Sequence, residues 1–119
     1  MAHIMTVEDE ALVRILLVET LESAGHTVTQ APDGEAALQA IRAGAALDVL
    51  LTDVRMPRMD GYELALAARA LRPALPVIFM TGYSDARPPV ELAASRMLRK
   101  PFNPDDLVAL VAALSEPRG

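Results

Sequence analysis

Ten arginines and a single lysine carry the positive charge of this sequence, and the lysine, Lys100, stands directly before a proline in Arg99-Lys100-Pro101-Phe102. A chain that otherwise uses arginine has kept a compact point charge at one place, where a planar fork would act differently. Acids and a hydroxyl stand at the ends of other apolar runs. Glu8 and Asp9 follow the first run, Asp53 ends another, and Thr81 ends a third. Acids, a hydroxyl and a lysine in such positions are the parts of a metal-assisted phosphoryl site. Three crowded carboxylates raise one another's pKa, and a hard divalent cation relieves them. Magnesium suits best, because it takes oxygen ligands and keeps waters open to a phosphate. With the cation in place, Asp53 can attack a phosphoryl group as a carboxylate nucleophile. Lys100, Thr81 and nearby backbone amides can answer the charge on the phosphoryl oxygens.

These residues need elements to position them. Ile4 to Val7 reads as a buried strand that stops at Glu8-Asp9-Glu10. Ala11 to Ala24 reads as a helix closed by Gly25, and Thr27 to Ala31 as a second strand. Asp33 can cap a helix from about Glu35 to Ala43, closed by Gly44. Leu47 to Thr52 is a strongly apolar strand that ends at Asp53, and Tyr62 to Leu71 the helix after it. Between them, Asp60-Gly61 taken alone reads as a turn. Pro76 to Met80 is a further buried strand before Thr81-Gly82, and Arg96 to Arg99 a weaker last one. Asn103 caps, and Pro104 opens, a helix to about Leu114. Ser84 to Ser95 leaves room for little more than a helical turn at Val90 to Ala94, so the fourth of five helices is expected to be short or absent.

The alternation of strand and helix predicts an α/β fold: a parallel sheet covered on both faces. In such sheets ligands sit outside the carboxyl ends of the strands, where the strand order reverses. That edge would gather Glu8, Asp9, Asp53, Thr81 and Lys100.

Composition sets bounds on the function. The 119 residues fit one domain, and 52% hydrophobic with only 3% aromatic demands an aliphatic core. No cysteine is present, which excludes thiol chemistry. A formal net charge of -5 argues against nonspecific nucleic-acid binding. No apolar stretch is long enough to span a bilayer, and the N-terminus lacks signal-peptide character. A cytoplasmic location and no membrane partner are expected, with one domain over 1–119 and no output domain.

The chain resembles the receiver domain of two-component response regulators, the CheY-like superfamily, over essentially its whole length. The likeness rests on Val7-Glu8-Asp9-Glu10, Asp33-Gly34, Thr52-Asp53-Val54-Arg55-Met56-Pro57-Arg58-Met59-Asp60-Gly61, Met80-Thr81-Gly82 and Lys100-Pro101-Phe102. It implies a flavodoxin-like doubly wound five-stranded parallel sheet in the order 2-1-3-4-5. It implies that Asp53 accepts phosphate from a histidine on a kinase or phosphotransfer protein, with magnesium held by Asp9, Asp53 and the Arg55 carbonyl, and by Glu8 through a water. Thr81 and Lys100 would contact the phosphoryl group, and Lys100-Pro101 would be a cis peptide. Such a domain is a phospho-acceptor with weak self-phosphorylation and self-dephosphorylation rather than an enzyme.

Three positions depart from the family pattern. Glu8 stands where many members have aspartate. Met97 occupies the switch position, where an aromatic is usual. The segment from Ser84 to Ser95 is short, which makes an ordinary activation dimer less expected and a monomer or weak dimer more so; stand-alone and hybrid-kinase receivers share this look. Arg55 and Tyr83, two residues beyond Asp53 and Thr81, would flank the phosphoryl group. Arg55 could shield it or pair with a nearby acid. On the first helix, Val13, Leu16, Leu17, Leu21 and Ala24 make a core-facing stripe, and the surplus apolar Ile15 and Val18 suggest where a histidine-bearing partner docks. The alternatives are less well supplied. A phosphatase of the haloacid-dehalogenase type needs an acid where Arg55 stands. A nucleotide-binding protein would need glycines in the acidic Glu8-Asp9-Glu10 loop. A non-phosphorylated pseudo-receiver, acting as a protein-binding module, would not need the full acid, threonine and lysine set.

Overall fold

The computed structural model describes residues 1–82, 85, 87–92 and 94–115. Its strands are β1 (His3–Val7), β2 (Thr27–Ala31), β3 (Val49–Asp53), β4 (Val77–Thr81) and β5 (Arg96–Arg99). The helices between and after them are α1 (Ala11–Ser23), α2 (Gly34–Arg42), α3 (Gly61–Leu71) and α4 (Pro104–Ser115). All neighbouring strands pair in parallel, in the order β2-β1-β3-β4-β5. The expected flavodoxin-like sheet is therefore the observed one. Its strand order reverses between β1 and β3, which places the ends of those two strands at the switch point.

Every residue of β3 and β4 is buried, as strands covered on both faces must be. Alternate residues feed two cores. Met5, Val7, Leu50 and Phe79 pack toward α2 and α3 with Ala37, Leu38, Ile41, Leu64 and Ala68. Ile4, Leu51, Ile78 and Met80 pack toward α1 and α4 with Leu17, Leu21, Leu107 and Val111. Tyr62 meets Phe79 edge-on at 4.9 Å between ring centroids, the one ring pair among the described residues.

Helix ends follow the residues that close them. Gly25 and Gly44 both take left-handed backbone, φ +94 and +90, just past α1 and α2. Asp33 caps α2 by accepting the Ala36 amide at 2.8 Å. Asn103 accepts the Asp105 amide at the start of α4. Between β4 and β5, the described residues hold a single 3-10 turn, Val90–Leu92, with Leu92 fully buried.

Two readings of the sequence are corrected. Asp60 and Gly61 are the start of α3 rather than a turn. The Asp60 side chain accepts the Glu63 amide, and Glu63 answers the Asp60 amide, a reciprocal capping box. In α1, Leu17 and Leu21 face the core and Val13 packs beside them, but Leu16 is 48% exposed and Ala24 is exposed. This helix is apolar on most of its circumference, so spacing alone does not select the buried arc. A contact made elsewhere helps to set its placement: the Arg14 guanidinium donates to the Glu8 carbonyl at 2.8 Å.

Candidate functional site

Burial of β1, β3 and β4 on both faces carries their last residues to one edge of the sheet. β1 runs straight into Glu8, whose amide still bonds to Ala31 O on the edge strand. The Glu8 side chain is fully buried, and its Oε1 accepts the Glu10 amide at 3.2 Å, which turns the chain into α1. Asp53 closes β3 and is 5% exposed. Thr81 closes β4, and its carbonyl accepts the Lys100 amide at 2.8 Å, bringing the residue after β5 to the same edge.

Four of the five residues singled out from sequence meet closely. One carboxylate oxygen each from Glu8, Asp9 and Asp53 lies within 4.8 Å of the others. Lys100 Nζ reaches into this group, 2.8 Å from Asp53 Oδ2 and 3.5 Å from Glu8 Oε2. Thr81 lines up beside them at the strand edge. A cleft of about 240 Å³ opens over the acids, lined by Asp9, Glu10, Asp53, Arg55, Gly82, Asp85 and Lys100. The Lys100-Pro101 peptide is cis.

The electrostatics follow from burial. Loss of water, and next the charge of Asp53, push the Glu8 carboxyl up to about 7. Burial alone would lower Lys100, but the hydrogen bond and charge of Asp53, with Glu8, outweigh it and hold the ammonium above its ordinary range. One lysine thus stands against three carboxylates. Oxygen ligands only, one oxygen from each acid within reach, and a carboxyl forced toward neutrality: this donor set fits a hard divalent cation.

Gly61 lets Asp53 sit where it does. Its amide donates to Val54 O at 2.8 Å, and a Cβ built on it would overlap the Asp53 carbonyl oxygen. The backbone cannot yield there without moving the acceptor residue. Gly61→Ala is expected to cost about 2–3 kcal/mol of stability and to weaken cation binding, both measurable by denaturant midpoint with and without magnesium. A midpoint unchanged in both conditions would show that the contact relaxes freely.

The model of the response regulator receiver domain matches residues 4–112 of the chain. The chain belongs to this family. Receiver domains work with histidine kinases or phosphotransfer proteins, and their acceptor chemistry is generally magnesium-dependent. The transcriptional regulatory protein FixJ of Bradyrhizobium diazoefficiens is 38% identical over 92% of the chain, which spans 54% of that protein. The DNA-binding transcriptional regulator NtrC of Escherichia coli is 40% identical over 91% of the chain, which spans 24% of it. The receiver protein CpdR of Brucella abortus is 38% identical, with 91% of this chain and 92% of that protein covered. Among solved structures, a receiver domain protein from Clostridium thermocellum superposes with a TM-score of 0.87 at 26% identity, covering 96% and 94% of the two chains. The receiver domain of the hybrid histidine kinase CckA gives 0.84 at 33% identity, covering 97% and 100%. The chain spans about half, or a quarter, of the FixJ and NtrC proteins it matches.

The remaining receiver positions divide. Met97, at the switch position, pairs in register with Phe79 and is 41% exposed. It lines a groove of about 500 Å³ with Leu98, Leu110 and Ala113 rather than filling a buried pocket. Tyr83 lies outside the described residues. On α1, Ile15 is 51% exposed as expected, whereas Val18 is only partly so. The exposed apolar strip runs through Leu12, at 83%, Ile15 and Leu16, one turn apart along the helix. Arg55, exposed beside the cleft, pairs with an acid that the sequence did not single out. That acid is Asp85, 3.4 Å away and four residues past Thr81. No signal in the sequence marks Asp85, because Arg55, the side chain it faces, comes from a different loop. Among the described residues, no helix is long and apolar enough to cross a membrane.

Proposed function

We propose that Asp53 accepts a phosphoryl group from a phosphohistidine on a histidine kinase or phosphotransfer protein. A carboxylate oxygen of Asp53 attacks phosphorus in line. The P–N bond of the donor breaks, its electron pair returns to the imidazole nitrogen, and an acyl phosphate forms on Asp53. The observation that carries this reading is the Lys100 ammonium 2.8 Å from Asp53 Oδ2, in the cleft that Asp9 also lines and beside the buried Glu8 carboxylate. Lys100 is placed to follow the charge as it shifts from carboxylate to phosphoryl oxygens. Thr81 at the neighbouring strand end offers a hydroxyl to the same group.

Magnesium would be held by Asp9, Asp53 and the Arg55 carbonyl, with Glu8 acting through a water. When bound, it neutralises the acids and the phosphoryl oxygens. Water then returns the acyl phosphate slowly to carboxylate and inorganic phosphate, which makes the domain a timed acceptor rather than an enzyme with its own substrate. The strip of Leu12, Ile15 and Leu16 lies on the helix that follows the acidic loop, and suits an apolar patch on the donor.

Intact-mass measurement after incubation with acetyl phosphate tests this directly. The wild type should gain one phosphoryl group with magnesium and none with chelator, and Asp53→Asn should gain none in either. A wild type that gains nothing and binds no magnesium would make the chain a pseudo-receiver instead.

A further inference from the structure

Asp85 has no part in the chemistry above, yet its side chain is only 3% exposed and lines the acceptor cleft. Its Oδ2 accepts the Gly82 amide at 2.7 Å. Its Oδ1 is buried without a hydrogen-bond partner among the described residues, 3.4 Å from the Nε of Arg55. The pair joins the loop after β3 to the loop after β4, the two segments that flank Asp53. A buried carboxylate with one oxygen short of a donor is held weakly for its desolvation.

The amide it occupies and the guanidinium it pairs with belong to the space a phosphoryl group must enter. Gly82 directly follows Thr81 and, with Arg55, lines the same cleft as Asp53 and Lys100. A phosphoryl group carries more charge and more acceptor oxygens than a carboxylate, and competes well for an amide and a guanidinium. It also repels a carboxylate beside it. Arg55 and Asp85 both line a second hollow, of about 570 Å³, next to Val54, Met56, Pro57, Asp60 and Tyr62. Asp85 therefore has somewhere to go.

We propose that Asp85 is a positioning residue that opposes phosphorylation: it holds the Gly82 amide and Arg55 in the unmodified chain, and a phosphoryl group on Asp53 takes both from it. This rests on Asp53 being the acceptor. The intramolecular carboxylate stands in for the phosphoryl oxygens until they arrive, and sets how strongly the cleft binds them.

The test is a titration with beryllofluoride in magnesium, a mimic of the aspartyl phosphate, followed by the backbone amide spectrum. Wild type, Asp85→Asn and Asp85→Ala are compared. The alanine variant should bind about tenfold more tightly, the value of one hydrogen bond between charged and neutral groups. Asparagine keeps an acceptor for Gly82 but no charge, and should fall between. The Gly82 amide resonance should move in Asp85→Ala and, on beryllofluoride addition, in the wild type. Equal affinities in all three proteins would overturn the proposal and leave Asp85 as a loop cap. A wild type that binds no beryllofluoride would instead remove the acceptor reading itself. Should Asp85→Ala unfold, asparagine still decides, because loss of charge alone must tighten binding.

Discussion

Lys100→Ala is expected to slow phosphoryl gain from acetyl phosphate by about 10²–10³-fold, the effect of removing one preorganised charge partner from a reacting oxyanion. The lysine sits 2.8 Å from Asp53 Oδ2, within reach of the oxygens that a phosphoryl group on that carboxylate would carry. The variant also loses the ammonium that bridges Glu8 and Asp53, both nearly fully buried. Without Lys100 the Glu8 carboxyl must rise further, since the ammonium is one of the influences lowering it. The metal-free variant should therefore lose more stability at pH 8 than at pH 5.5. Lys100→Arg should recover only part of the rate, because a planar fork does not replace a point charge among three acids. Rates are read by intact mass at fixed acetyl phosphate and magnesium. A wild-type rate in Lys100→Ala would separate the lysine from the chemistry.

The second large effect concerns the cation. Glu8 is held at about 7 in the folded chain against 4.5 in an unfolded one, chiefly by burial and then by Asp53. A raised acid is favoured in its protonated form. Its contribution is fully present below about 4.5 and is lost as pH rises through 7. Metal-free protein should lose on the order of 3 kcal/mol across that window, equivalent to roughly 10 °C in Tm for a chain of this size. Magnesium should restore most of the loss at pH 8 and little at pH 5.5, where Glu8 is already neutral. Glu8→Gln should flatten the metal-free pH profile and reduce the magnesium response. A metal-free Tm that does not fall between pH 5.5 and 8 in wild type would show that Glu8 ionises freely in its pocket.

Much of the site could be read from residue order because parallel strands end abruptly where their apolar runs end. Asp53 follows four buried residues of the central strand, and Glu8 follows a strand buried almost throughout. Lys100 stood out by contrast with ten arginines. Features that depend on separate segments meeting were not legible. Asp85 takes its meaning from Gly82 and Arg55, and the need for glycine at position 61 comes from the Asp53 carbonyl behind it. The rotation of α1 was hidden for a different reason: Leu12, Val13, Ile15, Leu16 and Leu17 are interchangeable in hydrophobicity, and only the tertiary fit distinguishes Leu17, fully buried, from Leu12, 83% exposed. Asp60-Gly61 carried the residues of a turn, and the Glu63 side chain three places on converts it into a helix start.

The lone lysine also makes the acceptor cleft chemically addressable. Reductive methylation with isotopically labelled formaldehyde would place just one side-chain reporter on the whole chain, and it would sit within hydrogen-bonding distance of Asp53. Labelling of the terminal amine would resolve as a separate signal. Because Lys100 precedes a proline, trypsin cuts that bond poorly, so digestion proceeds essentially at arginines and the reporter stays inside its own peptide. Every occupant of the cleft, from a proton on Glu8 to a metal or a phosphoryl group, would then register on a single resonance without any substitution in the sequence.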